Sequence, residues 1–167
     1  MTARKKLLLL NLLNLGIILF LVILRYSGVF VLKIGEIAPI IVLPLIVAIS
    51  IFFGELSGFA AGLFAGILMD TQVTGSSCFN LFALMLLGLV SGLCSTYLLN
   101  KNLKSALCLS FGTAFLYFLF RYLVLFAFKG TVFGFDYFIF NLLPSAIYTS
   151  IFIIPCYYLE KFLSKHG

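Results

Sequence analysis

Three ionisable residues stand within or at the edge of apolar stretches where charge is costly: Glu55, Asp70 and Arg121. A charge at the centre of a membrane helix costs about 2.5–3.5 kcal/mol on insertion scales, so each needs a physical reason to be there. Two carboxylates could act together on one bond if they stood about 5–9.5 Å apart. Glu55 and Asp70 bracket a single apolar stretch, and a helical rise of about 1.5 Å per residue separates them by roughly 22 Å. That distance excludes paired acid chemistry between them. Cys78, Cys94, Cys108 and Cys156 show no Cys-x-x-Cys spacing and read as small hydrophobes rather than as a metal or redox centre. The only histidine is His166, and neither a metal-binding histidine pattern nor a phosphate-cradling loop accompanies it. The chain is therefore expected to be neither an enzyme nor a cofactor or metal carrier.

Arg121 lies seven residues before the end of its apolar stretch, about 10 Å deep by the same helical rise. Asp70 closes its own stretch on the same side of the bundle. Two arrangements are open: Asp70 and Arg121 pair, directly or through water, or Arg121 snorkels toward the headgroups.

The elements that position these groups carry a second pattern. Every fourth residue from Gly54 reads Gly54, Gly58, Gly62, Gly66, Asp70. Glycine weakens a helix, so a series at this spacing points to a backbone that another helix approaches closely, as small residues permit in lipid. Four residues turn a helix through about 400°, so the stripe drifts by about 40° per step. A straight partner can follow two or three rungs, and a crossing of about −40° suits it better. The partner is either a neighbouring span or a foreign helix.

Composition sets the class. With 63% hydrophobic and 10% charged residues and a mean hydropathy of +1.24, the chain departs from soluble domains in both directions at once. It reads as an all-α integral membrane protein, residues 1–167 forming one six-helix domain. The spans, each near the required length of about 20 residues, are placed at 7–24, 36–53, 55–70, 78–99, 105–128 and 137–163. Pro39 and Pro44 fall in the second and Pro144 and Pro155 in the sixth, and only Gly54 separates the second from the third. The net charge of +6 reflects topology rather than nucleic-acid binding, because the cations lie at span ends. Arg4, Lys5, Lys6, Lys101, Lys104, Lys161 and Lys165 gather on one side, against Arg25, Lys33 and Lys129 on the other. That bias places both termini in the cytoplasm. The first stretch lacks a small-residue cleavage site, since Arg25, Tyr26 and Ser27 follow it, and it reads as a retained helix.

The run Gly58-Phe-Ala-Ala-Gly62-Leu-Phe-Ala-Gly66-Ile-Leu-Met-Asp70 resembles the signature of the rod shape-determining protein MreD family. Asn80 followed by Gly88 and Gly92, and Leu143-Pro144-Ser145-Ala146-Ile147-Tyr148, resemble two further helices of that family. Ile40 after Pro39 and Cys78 at the start of the fourth span depart from its pattern. The resemblance implies a non-catalytic scaffold in the bacterial cytoplasmic membrane, part of the peptidoglycan-synthesising elongasome that sets rod cell shape. It implies binding to an MreC-like bitopic protein and work alongside MreB, a RodA-type glycosyltransferase and a class B penicillin-binding transpeptidase. Gly58, Gly62, Gly66 and Asp70 are then expected to form the partner surface or its support.

MreD-like proteins are similar in architecture to the substrate-binding components of energy-coupling factor vitamin transporters, and that is the alternative function. In that case Phe115, Tyr117, Phe118 and Tyr122 around Arg121 would line a pocket for a small anionic ligand.

Overall fold

The computed structural model describes residues 3–27, 40–72, 78–97, 102–129 and 143–166. All secondary structure among them is helical. In chain order the helices are α1 (Ala3–Tyr26), α2 (Val42–Phe53), α3 (Glu55–Gln72), α4 (Phe79–Tyr97), α5 (Leu103–Lys129), α6 (Leu143–Ile151) and α7 (Ile153–His166). The expected starts of the second span at Glu36 and the sixth at Tyr137, together with Pro39, Lys33 and Lys101, lie outside the described residues.

Among the described residues, three helices contain segments long and apolar enough to cross a membrane: Leu9–Tyr26, Phe79–Tyr97 and Leu103–Val124. α2 is as apolar but shorter, and it occupies the middle of the bundle. Every residue from Val42 to Ile51 is buried, and α2 touches all six other helices. A helix apolar all round its axis suits that position, because no face of it need meet water. Around it, large apolar side chains such as Leu12, Phe20, Phe82, Leu86, Phe120 and Leu123 point away from the core.

Proline and glycine set the boundaries. Pro44, Pro144 and Pro155 each sit in the first turn of a helix, where the missing N–H is no loss. The sixth span, expected as one helix over 137–163, is two in its described part. α6 ends in a tight turn in which the Phe152 N–H donates to the Thr149 carbonyl at 3.2 Å. Pro155 then opens α7 and offers no N–H to the carbonyl of Ile151 four residues back, so the α-helical ladder cannot run through. Gly54 closes the α2/α3 hairpin with φ +88°, a left-handed conformation that glycine adopts without steric penalty. The single-residue connection read from the sequence is the one observed.

Candidate functional site

The glycine series divides into three roles. Gly54 is the turn, Gly58, Gly62 and Gly66 form a seam against α4, and Asp70 caps the end of that seam.

At the seam the two backbones nearly touch. A Cβ on Gly66 would lie 2.5 Å from the Leu81 Cα, and one on Gly58 would lie 2.7 Å from the Gly88 carbonyl oxygen. One on Gly62 would run into the Leu84 carbonyl. The fit is reciprocal, since Gly88 meets the backbone of Gly58 and Gly92 that of Glu55. Advancing along α3 from Glu55 to Gly66 therefore moves the contact back along α4 from Gly92 to Leu81, a continuous antiparallel register. The partner of the stripe is the neighbouring span, and three glycine rungs take part. Ser50 of α2 joins the seam where Gly58 and Gly88 meet. Its hydroxyl lies 2.8 Å from the Ile46 carbonyl and 3.0 Å from the Gly88 carbonyl, so its one proton is shared between two buried acceptors.

Asp70 stands in the last turn of α3, beside the start of α4. Its Oδ1 accepts from the Asn80 backbone N–H at 3.2 Å and from the Asn80 side-chain amide at 2.8 Å, and its Oδ2 accepts from the Leu81 N–H at 2.8 Å. Asn80 and Leu81 are the second and third residues of α4, whose N–H groups have no partner within their own helix. The carboxylate thus caps α4 from the adjacent helix, with its negative charge at the positive end of the α4 dipole. The hydroxyl of Tyr117 on α5 donates to Asn80 Oδ1 at 2.5 Å, and the Phe79 and Tyr117 rings pack with centroids 5.9 Å apart. Three helices meet at this one amide. At the same end the Tyr26 hydroxyl of α1 reaches the Met69 carbonyl at 3.5 Å.

Arg121 is exposed one turn beyond Tyr117. The hydrogen bonds of Asp70 run to Asn80 and Leu81 rather than to Arg121, while Arg121, Arg25 and Asp70 all lie within electrostatic reach of the Tyr117 hydroxyl. Of the aromatic residues around Arg121, Tyr117 is buried, and Phe115 and Phe118 pack partly buried against the core. All four cysteines are free thiols; Cys156 is buried, Cys94 half-buried, and Cys78 and Cys108 are exposed. Among the described residues no three His, Cys, Asp or Glu side chains gather as a metal site would require.

Sequence reasoning missed the parts of this site that carry no charge. Tyr117 was legible only as one of several aromatics, and Asn80 only within a family-like run. Tyr117→Phe is expected to lower stability by about 1–1.5 kcal/mol, because it leaves Asn80 Oδ1 one donor short in a part-buried site. The shift in melting temperature of the purified protein in a mild detergent measures it.

Comparison with protein-family models, with curated proteins and with solved structures gives no match.

Proposed function

We propose that the chain is a non-catalytic membrane scaffold subunit of the bacterial cell-wall elongation machinery. In this reading it controls rod shape by holding an MreC-like bitopic partner, as its resemblance to the MreD family implies. The observation that carries the proposal is that the residues bearing the resemblance, Gly58, Gly62, Gly66 and Asp70, act as one structural device: a close helical seam ending in a cap. A scaffold needs a rigid surface rather than a reactive group, and a seam of backbone contacts supplies rigidity at a fixed helix spacing. Because the seam faces α4, the glycines support the partner surface and do not themselves form it. The six-span arrangement in the cytoplasmic membrane, with both termini inside, belongs to the same proposal. So do the association with MreB, a RodA-type glycosyltransferase and a class B penicillin-binding transpeptidase, and the architectural similarity to energy-coupling factor components. Depletion of the protein in the bacterium that encodes it tests the reading. Rods that widen and round up are expected, and cells that keep rod shape and width after depletion would overturn it.

A further inference from the structure

A second polar contact lies away from the glycine seam and joins the first helix to the last. Asn14 of α1 is 2% exposed and Glu160 of α7 is fully buried. The Asn14 amide donates from Nδ2 to Glu160 Oε2 at 3.3 Å. The other oxygen of each group, Asn14 Oδ1 and Glu160 Oε1, is buried without any donor. An amide oxygen and a carboxylate oxygen can only accept, and two buried acceptors left empty in one contact are costly. A single proton satisfies both.

We propose that Asn14 and Glu160 form a proton-binding site in which Glu160 is held as the neutral carboxylic acid at neutral pH. Oε1–H donates to Asn14 Oδ1 while Asn14 Nδ2–H donates to Oε2, closing an amide–acid ring with two hydrogen bonds. The proton comes from water, and no bond between heavy atoms changes. Among the described residues, none pairs an opposite charge with Glu160 to favour the ionised form. α2 has no ionisable side chain, α3 carries only the acids Glu55 and Asp70, and α6 carries only Tyr148. On α5 the titratable groups nearest this end, Lys104 and Cys108, are both exposed. On α7 itself Cys156 and Tyr157 lie within one turn, and Lys161 is exposed with its ammonium 5.9 Å from the Tyr157 ring centroid. On α1 the nearest cation in sequence is Lys6, two turns before Asn14. An ionised carboxylate so placed would lack a counter-charge and keep one buried oxygen without a donor. Since α1 otherwise packs on α3 and α2, the ring is a clasp that closes the bundle between its first and last helices.

Infrared spectra of the full chain in phosphatidylcholine bilayers at neutral pH, compared with Glu160→Gln, test the proposal. Glutamine carries permanently the donor that the acid supplies, so E160Q closes the same ring without a proton. The parent is expected to show a carboxylic-acid carbonyl band that E160Q lacks, and the two proteins are expected to melt at the same temperature. Glu160→Leu is expected to melt lower, because Asn14 then has no partner at all. Three results would each overturn the proposal: no Glu160-dependent acid band, an E160Q protein that misfolds or melts well below the parent, or a parent whose melting temperature rises with added sodium chloride while that of E160Q does not. The last would place a cation, rather than a proton, between the two oxygens.

Discussion

Gly62→Leu is expected to abolish the native packing of α3 on α4, while Gly16→Leu and Gly112→Leu leave the fold intact. Even a methyl group at Gly62 collides with the Leu84 carbonyl and approaches the Met85 Cα to 3.1 Å. Backbone atoms cannot turn aside as a flexible side chain can, so the two helices would have to separate along the whole seam. Overpacking a well-filled core costs about 1–3 kcal/mol when side chains can adjust, and here about 3 kcal/mol or more is expected because they cannot. At Gly16 and Gly112 a Cβ meets nothing within 4 Å, and the better helix propensity of leucine favours the variant by a few tenths of a kcal/mol or more. Fluorescence-detected size exclusion and thermal melting of the three variants measure the contrast. A Gly62→Leu protein as monodisperse and stable as the parent would show that the seam is not the close contact described.

Asp70→Ala is expected to be the next most damaging change. It removes the acceptor for three donors at once: the Asn80 and Leu81 backbone N–H groups and the Asn80 amide. A hydrogen bond to a charged group contributes about 1.5–3 kcal/mol, and a lost helix cap alone costs about 0.5–2 kcal/mol, so a loss of about 2–3 kcal/mol is expected. Asp70→Asn keeps one accepting oxygen and should lose roughly half as much. Arg121→Gln separates the cap from the ion-pair arrangement that charge spacing had left open. If the carboxylate acts as a cap on α4, the exposed Arg121 can be replaced with a change inside about 0.5 kcal/mol. Equal losses for Asp70→Ala and Arg121→Gln would restore the pair. Melting temperatures of the three variants decide between the two.

Much of the helical frame was legible in the sequence because membrane-type helices announce themselves by uninterrupted apolar runs, and glycine and proline mark their ends. Gly54 alone between two apolar stretches left room only for a tight hairpin. Four-residue glycine spacing announced a close backbone contact, and the geometric drift of that stripe limited the contact to a few rungs. The break at Phe152 was harder to see. Pro155 stood within one long apolar run, and whether a proline kinks a helix or restarts it depends on the turn before it. The site residues divide in the same way. Glycines are visible because their cost demands an explanation, but charge depth points Asp70 toward Arg121, whereas its donors are two backbone N–H groups and the Asn80 amide of the next helix, which charge spacing does not record. Asn14 and Glu160 form no motif of their own in the sequence, Asn14 standing one turn from Asn11 and Glu160 beside Lys161. Their contact joins positions 146 residues apart, with nothing local to connect them.

As proposed, the glycine seam and its cap build a scaffold for wall-synthesis proteins. Affinity purification of the tagged protein from its own membranes in a mild detergent, with mass spectrometry of co-purifying proteins and small molecules, tests it most directly. An MreC-like bitopic protein together with wall-synthesis enzymes is expected, retained by the parent and lost from Gly62→Leu. Recovery of an ATPase module with a stoichiometric bound vitamin, and no wall-synthesis protein, would contradict it.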